Sequence, residues 1–490
     1  VYLVTSEQMR SFDKHTIEGL QIPGIVLMDQ AGKAVAKRAA LRHPRRVVVL
    51  CGKGNNGGDG WVAARWLHHW GHSWVQVLSL VTPEQLQGDA AIAAAAAVAS
   101  GVTYRVVHAG EDLPMADVVV DALLGTGTGR PLQGQLAELV TQVNAHPGFK
   151  IAVDVPTGVS ASTGEVPGIA VQAEETVCMG MQKLGTAVSP GCYHSGQVHT
   201  VDIGIDLSYA TGSELACWTQ AQDLQSALAP RGPETHKGTF GRVGILVGSM
   251  QGAAVLSGLG AARSGAGLIV LATPTSQANR AGFPWEFVQR PVETADVKAV
   301  QTALSDCQSL VVGPGLGQDL SLARELLTNP AQKGVLDADG LRLLANLRPL
   351  GPQWVLTPHP KECADLLGWT PQEVQAHRLQ AARSLVEKTQ AVVVLKGYHS
   401  LVLGPGGEIA VNWTGDAALA TAGAGDVLAG VIAGLMAQGA DALTAAKAGT
   451  WLHGRAGEMA GQRQNVVSTV ATDIVENISR AISSVIDSMS

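Results

Sequence analysis

Short apolar runs that stop at a glycine or an acid recur along this chain, separated by stretches with helical spacing. In the first half they are Val47 to Leu50, Val75 to Val81, Val118 to Val120, Ile151 to Val153, Thr176 to Met179 and Val198 to Ile203. Runs this short and this continuously apolar belong to strands covered on both faces, so the pattern predicts a parallel sheet between helical layers, an α/β fold. In open sheets of that kind ligands bind beyond the C-terminal strand ends. Here those ends read Cys51-Gly-Lys-Gly-Asn-Asn-Gly-Gly-Asp-Gly60, Asp121-Ala-Leu-Leu-Gly-Thr-Gly-Thr-Gly129 and Asp154-Val-Pro-Thr-Gly158.

A polar, less patterned segment, roughly Asp206 to Pro233, interrupts the series, and the chain of 490 residues is too long for one core of usual size. The reading is two domains, 1–215 and 216–490. The second series runs through Arg242 to Gly248, Leu268 to Leu271, Leu310 to Val312, Val335 and Leu336, Trp354 to Leu356 and Val392 to Leu395. Ser400 to Leu403 and Glu408 to Val411, joined by Gly-Pro-Gly-Gly, read as an antiparallel hairpin. Neither half repeats the other. A formal charge of −7 gives no reason to expect nucleic acid or an anionic membrane as partner. Six cysteines without C-x-x-C spacing point to reduced thiols in a cytoplasmic protein. The segment Ala90 to Ala99 is too short to span a bilayer and reads as a buried helix.

Gly52, Gly54 and Gly57 satisfy G-x-G-x-x-G between a candidate strand and the candidate helix Trp61-Val-Ala-Ala-Arg-Trp-Leu-His-His-Trp70. A dinucleotide cofactor site also needs an acid at the end of the next strand, to hold a ribose hydroxyl. That strand, Trp74 to Val81, has none. Asp59 moreover stands near the helix N-terminus, where a carboxylate satisfies the dipole and repels phosphate. The loop binds something, but not as a standard NAD clamp. Asn55, Asn56 and Asp59, then Asp121, then Asp154 and Thr157 fall just beyond candidate strands. Such amide, hydroxyl and carboxylate oxygens suit a monovalent cation or a polyol better than zinc. Each Asp taken alone reads equally as a helix cap.

In the second half, Thr421-Ala-Gly-Ala-Gly-Asp426 opens a small-residue helix. Its backbone N–H groups can converge on a transferring phosphoryl group, and Asp426 can take a proton from the attacking hydroxyl. The other reading is a glycine turn capped by an Asp. Lys396-Gly-Tyr-His-Ser400 and Thr357-Pro-His-Pro-Lys-Glu362, both at strand ends, favour a site.

Gly54-Asn-Asn-Gly-Gly-Asp-Gly60, Val120-Asp-Ala-Leu-Leu-Gly-Thr-Gly127, Val153-Asp-Val-Pro-Thr-Gly158 and Leu27-Met-Asp-Gln-Ala-Gly32, the last read as part of the first helix, resemble the motifs of the NAD(P)HX epimerase domain. From Thr235 onward the chain resembles the NAD(P)HX dehydratase of the ribokinase-like superfamily. The marks there are Thr235-His-Lys-Gly238, Gly313-Pro-Gly-Leu-Gly317, Asp337-Ala-Asp339, Thr357-Pro-His-Pro360, Lys396-Gly397 and Gly423-Ala-Gly-Asp426. Two motif sets in this order resemble the fused bacterial and archaeal repair enzyme, and they cover nearly the whole chain. The resemblance implies two three-layer αβα domains, Rossmann-like at the N-terminus and ribokinase-like at the C-terminus. It implies NAD(P)HX contacts at Asn55, Asn56, Gly57, Gly58, Asp59, Gly125, Thr126, Gly127, Thr128, Gly129, Arg130, Pro131 and Asp154, with K⁺ on Asn56, Asp121 and Thr157. In the second domain it implies NAD(P)HX contacts at Ala253, Gly315, His359 and Asp426. ADP, with Mg²⁺, falls to Lys396, Gly397, Tyr398, His399, Ser400 and Gly425, and a homo-oligomer is also implied. Two departures stand near the phosphate site: Gly415-Asp416 where the family has Gly-Asn, and Lys361 where it has Gly.

The implied activities are epimerisation of hydrated NAD(P)H, with Asp154 the candidate acid-base group or only a ligand-holding one, and nucleotide-dependent dehydration with Asp426 as base. ADP and ATP are not distinguished as donor. A vitamin-precursor kinase fused to a non-catalytic nucleotide-binding module is the competing reading.

Overall fold

The computed structural model describes residues 1–72, 74–127, 129–208, 215–278, 282–293, 296–346 and 349–487. The chain divides into two compact units, Tyr2–Ala216 and Cys217–Ser490, with Val1 counted in the second.

The first unit contains β1 (Tyr2–Val4), β2 (Arg46–Cys51), β3 (Trp74–Ser79), β4 (Thr103–Val106), β5 (Val118–Ala122), β6 (Phe149–Val153), β7 (Glu175–Met179), β8 (Gln182–Lys183) and β9 (Gln197–Val201). Its main sheet is parallel throughout, in the order β4-β3-β2-β5-β6-β7-β9. Alternate residues of β2 and β5 feed opposite faces. Val47, Val49, Val118 and Val120 pack with the helices Gly24–Ala40, Asn55–His69 and Gly88–Ala99, whereas Val48, Leu50 and Val119 pack with the helix Gly134–Ala145. The result is a three-layer αβα unit. From β2 the chain winds outward to β3 and β4, then returns to β5 and winds the other way, so the switch point lies between β2 and β5. A crevice at that point is where a parallel sheet offers its strand ends to a ligand. Gly52 closes the approach of the two strands: a Cβ there would stand 1.8 Å from the carbonyl oxygen of Leu123.

The second unit contains β10 (Ala216–Trp218), β11 (Arg242–Leu246), β12 (Leu268–Pro274), β13 (Phe287–Val292), β14 (Ser309–Val312), β15 (Gly334–Leu336), β16 (Trp354–Leu356), β17 (Val392–Leu395), β18 (Leu401–Leu403) and β19 (Ile409–Val411). The order is β13-β12-β11-β14-β15-β16-β17-β18-β19-β10. Strands β13 to β17 are parallel, and the expected hairpin supplies the antiparallel β18 and β19. One face is covered by the helices Gln251–Arg263, Ala424–Ala437, Ala442–Gln464 and Ala471–Asp487, which share a core with Val243, Ile245, Val311, Val335 and Val355. The first two of these helices touch backbone to backbone, since a Cβ on Gly430 would lie 1.9 Å from the carbonyl oxygen of Ser257. The opposite face carries shorter helices, among them Pro360–Leu367 and Arg378–Thr389. The switch point is between β11 and β14, where a Cβ on Gly248 would stand 2.2 Å from Leu316 Cα.

Three details differ from the sequence expectation. Leu27 to Gly32 lie in the second helix, because Ser6–Lys14, capped by Thr5, forms one before it. Strands β1, β4, β8, β10 and β13 were not expected; they are short, exposed or interrupted by Gln289, Arg290 and Pro291. Several boundaries move by one to three residues. Among the described residues no helix is long and apolar enough to cross a membrane.

Two candidate active sites

At the first switch point a cavity of about 440 Å³ opens, lined by Gly54, Asn55, Asn56 and Asp59 from the glycine loop and its helix, by Leu123 to Gly127 after β5, and by Asp154 after β6. The other side comes from Met9, Arg10 and Asp13 of the N-terminal helix and from Met179 and Lys183. Of the expected substrate contacts, Gly57 and Gly58 do not line it. A Cβ on Gly57 would meet the Gly52 carbonyl oxygen at 2.1 Å, and one on Gly58 would meet Met28 Sδ at 2.6 Å, so these glycines permit close packing of the helix. Gly129, Arg130 and Pro131 also stand outside the lining, and Thr128 lies outside the described residues.

Asp121, fully buried at the end of β5, is clamped by Thr157. The Thr157 backbone N–H donates to Asp121 Oδ2 at 2.8 Å and its hydroxyl to Oδ1 at 2.7 Å, while Leu123 N–H donates to Oδ1 at 3.2 Å. Burial pushes the Asp121 carboxyl up to about 6 against the pull of these donors. Thr157 Oγ1 is 3.2 Å from the Leu124 carbonyl oxygen, and Asn56 Oδ1 would be 3.0 Å from a Cβ on Gly125. The buried amide nitrogen of Asn56 has no partner among the described residues.

Asp154 follows β6 with φ of +66°, a left-handed conformation that Asp tolerates better than most residues. Its Oδ1 accepts from Met179 N–H at 3.1 Å and pairs with the ammonium of Lys183. Lys183 is 1% exposed and also donates to the Met179 carbonyl oxygen at 2.8 Å. Sequence reading missed Lys183, whose burial has no local signal in the mixed triplet Met181-Gln-Lys183. Asp59 is half-buried on the fifth residue of its helix rather than at its N-terminus. Removal from water first, then the charges of Asp154 and Asp13, push its carboxyl well above the ordinary range despite Lys183.

The second site surrounds Lys396 at the end of β17. Its ammonium is 2.8 Å from Asp337 Oδ1 and 3.9 Å from Glu362 Oε2, and it would be 3.3 Å from a Cβ on Gly425. The side chain thus points into a carboxyl cluster that includes Asp426. Burial foremost, then Asp337 and Glu362, push the Asp426 carboxyl up to about 6, with Lys396 opposing. Gly423 precedes the helix Ala424–Ala437 with φ of +86°. A Cβ there would meet Leu256 Cδ1 at 2.4 Å, which brings in the helix that carries Ala253. Gly315, with φ of +68°, has no room beside the Met250 carbonyl oxygen and Ala253, and Gly313 lies against the Asp337 carbonyl oxygen. Ala253, Gly315, Asp337, Lys396, Gly425 and Asp426 therefore form one connected rim.

His359 caps the helix Pro360–Leu367: its Nδ1 accepts from the N–H groups of Lys361 and Glu362, both at 3.2 Å. Its Nε2 is 3.4 Å from Glu362 Oε1. In the loop after Lys396, Ser400 Oγ donates to the Gly397 carbonyl oxygen at 2.9 Å, and the rings of Tyr398 and His399 stack at 4.1 Å. Arg378, only 2% exposed, holds this loop by donating to the carbonyl oxygens of Leu395 at 3.0 Å and Lys396 at 3.3 Å. Sequence reading missed it, along with the pairing of Asp337. Asp416 turns its carboxylate onto Ala418 N–H at 2.9 Å, capping a short turn, so part of its charge is met by backbone. Among the described residues no group of three or more His, Cys, Asp or Glu side chains is arranged to hold a metal ion.

Comparison with known proteins supplies independent findings. A family model described as NAD(P)H-hydrate dehydratase matches residues 243–480, and one described as YjeF-related protein N-terminus matches residues 24–185. The chain is 35% identical to the bifunctional NAD(P)H-hydrate repair enzyme Nnr of Moorella thermoacetica, across 97% of this chain and 96% of that protein. It is 36% identical to the protein of the same name from Salinibacter ruber (98% and 95% covered) and 33% identical to that from Escherichia coli (97% and 93% covered). A solved ADP/ATP-dependent NAD(P)H-hydrate dehydratase from Bacillus subtilis, co-crystallised with ATP and Mg²⁺, is 29% identical; the match covers 55% of this chain and 98% of that one, with a TM-score of 0.47.

Proposed function

The chain belongs to the family of bifunctional NAD(P)H-hydrate repair enzymes, and from that premise we propose how its two units divide the work. It is an enzyme that repairs hydrated NADH and NADPH, with an epimerase domain and an ADP/ATP-dependent dehydratase domain. Residues 1–215 interconvert the R and S epimers, and residues 216–490 dehydrate the S epimer, consuming ADP to AMP and phosphate. The observation that carries the reading is the pair of carboxyl-rich strand-end sites, one in each unit, joined in a chain whose relatives match both units. A vitamin-precursor kinase with a non-catalytic first unit is not favoured, because those relatives carry the repair name over their whole length.

The hydrate carries a hydroxyl on the carbon beside the ring nitrogen. The nitrogen lone pair can expel it once it is protonated, leaving an iminium to which water returns on either face, so epimerisation needs only acid-base catalysis. Asp154 is assigned to that catalysis. Asn56, Asp121 and Thr157 fit K⁺ as hard oxygen donors, an amide, a carboxylate and a hydroxyl, with Thr157 Oγ1 2.7 Å from Asp121 Oδ1. The cation would balance the buried Asp121 charge and order the loop from Leu123 to Gly127.

Dehydration needs a better leaving group than hydroxide. Asp426 takes the proton of the ring hydroxyl as that oxygen receives the phosphoryl group, and the N–H groups from Ala422 to Gly425 stabilise the transferring charge. Lys396 to Ser400 and Gly425 hold the nucleotide; Ala253, Gly315 and His359 hold the hydrate. Mg²⁺ would arrive with the nucleotide, held chiefly by its phosphate oxygens and water, as Mg²⁺ usually is in nucleotide sites. A cytoplasmic, self-associating enzyme completes the reading. The test is incubation with an epimer mixture of NADHX, with and without ADP and Mg²⁺, followed by chiral separation and NADH absorbance. Equilibration without nucleotide and NADH only with it is expected; NADH absent in both arms would overturn the reading.

A further inference from the structure

The epimerase cavity holds more acid than its chemistry has yet used. Asp13, Asp59 and Asp154 all line it around one buried ammonium, that of Lys183; Arg10, also on the lining, pairs outward with Glu7, and Asp89 stands on the helix Gly88–Ala99. Three ionised carboxyls about one ammonium would leave a net double negative charge in a half-buried space. Desolvation and like-charge repulsion both favour keeping one carboxyl protonated.

The contacts say which. The Lys183 ammonium and the Met179 N–H both fall on Asp154 Oδ1. An ion-paired carboxylate is a proton acceptor. Asp59, on the facing helix, has no side-chain hydrogen-bond or ion-pair partner among the described residues, and the Lys183 ammonium, the cation that opposes its rise, is taken by Asp154. The direction of its shift, upward by burial and by Asp154 and Asp13, agrees.

Resting on the epimerase reading above, we propose that the site works with two carboxyls in opposite protonation states: Asp59 is the acid that protonates the leaving hydroxyl, Asp154 is the base, and Lys183 is the positioning residue that keeps Asp154 in that role. In one turnover the Asp59 proton moves to the hydroxyl oxygen, the C–O bond breaks with its electrons on oxygen, and water departs as the nitrogen lone pair forms the C=N bond. A water oxygen then bonds to the same carbon from the Asp154 side. The C=N pair returns to nitrogen, and the water proton passes to Asp154. One proton exchanged with solvent restores the starting form, and the reverse reaction uses the swapped form.

The experiment uses the full-length enzyme and the variants Asp59→Asn, Asp154→Asn, Lys183→Met and Lys183→Arg. For each, epimerisation of R-NADHX is followed across pH, together with substrate dissociation constants; thermal unfolding followed by circular dichroism serves as the folding control. Asp59→Asn and Asp154→Asn should each lower kcat by roughly 10²- to 10⁴-fold, with affinity changed by less than about threefold. Asp59→Asn should erase the alkaline limb of the kcat/KM profile. Lys183→Met should lower kcat by a comparable factor with KM little changed, and Lys183→Arg should restore it. An Asp59→Asn enzyme within about threefold of the parent, with its alkaline limb intact, overturns the proposal. If that variant does not fold, Asp59→Glu keeps a titratable carboxyl, and a folded Asp59→Glu enzyme lacking the alkaline limb overturns it equally. A parent enzyme without epimerase activity would instead remove the reading on which the proposal rests.

Discussion

The acidity of Asp426 makes the second site testable in sign and size. As a base it acts only when ionised, and the dehydratase cluster pushes it up to about 6. Roughly ten sites in eleven are then ionised at pH 7 and about one in eleven at pH 5, so kcat/KM for S-NADHX should fall about tenfold between those values. An Asp at its ordinary value of 3.8 would lose less than about a tenth of its activity over the same range. Because the terminal phosphate of the nucleotide titrates in the same region, the decisive quantity is the displacement between variants. Asp337 and Glu362 raise Asp426 as like charges, so Asp337→Asn and Glu362→Gln should each move the acid limb to lower pH. The assay is the initial rate of NADH absorbance at saturating ADP and Mg²⁺ and low S-NADHX, from pH 4.5 to 8, against enzyme-free blanks. A limb that stays in place in both variants, in folded enzyme, would refute the assignment of Asp426 as the titrating base.

Asp426→Asn should abolish NADH formation and leave epimerisation, since Asp426 and the epimerase cavity belong to different compact units; joint loss in a folded variant would break that separation. Exchanging K⁺ for Li⁺ should slow epimerisation and lower the Tm of the first unit, because Asn56, Asp121 and Thr157 would form an oxygen set with a size preference, and equal rates and Tm in both salts would exclude the cation. Thr157→Val deletes the hydroxyl that donates to buried Asp121, with an expected loss of about 1–3 kcal/mol by denaturant titration. Gly52→Ala, whose Cβ would meet Leu123, should cost about 2 kcal/mol or more, whereas Gly54→Ala, with no heavy atom within 4 Å, should stay within about 0.5 kcal/mol.

The strands nearest each switch point were legible because a parallel strand buried on both faces must be apolar throughout, and Val47 to Leu50 and Val392 to Leu395 can be little else. Edge strands escape that logic. β4 shows two exposed and two half-buried residues, and β13 includes Arg290, so neither resembles a core strand. Asn56, Asp121, Asp154 and Asp426 were legible as site candidates because the topology fixes where strand ends point. Their partners were not. Lys183 reaches Asp154 across 29 residues and Lys396 reaches Asp337 across 59, and no local pattern announces either pairing. The glycine-loop motif, for its part, cannot tell a glycine that meets a ligand from one packed against the protein itself, as Gly57 against Gly52 and Gly58 against Met28 illustrate.

The two sites pose the same electrostatic problem, one ammonium among three carboxyls, and the chemistry differs because the excess acidity is used in opposite senses. Around Lys396 the ion-paired carboxyl is Asp337, and the group left to respond is Asp426, lifted only to about 6. At neutral pH it is still ionised, yet basic enough to accept a hydroxyl proton. Around Lys183 the ion-paired carboxyl is Asp154, and the carboxyl of Asp59, with no ion-pair partner among the described residues, is pushed up by burial and by the charges of Asp154 and Asp13. In the proposed mechanism it is the proton donor. Removing the lysine should therefore have different consequences in the two sites. Lys396→Met takes away the cation that opposes the rise of Asp426, so its acid limb should move upward and dehydration at pH 7 should slow even with saturating nucleotide. Lys396→Met in which the limb does not move would mean that Lys396 serves the nucleotide alone, and that the burial of Asp426, not the balance of charges around it, sets the base.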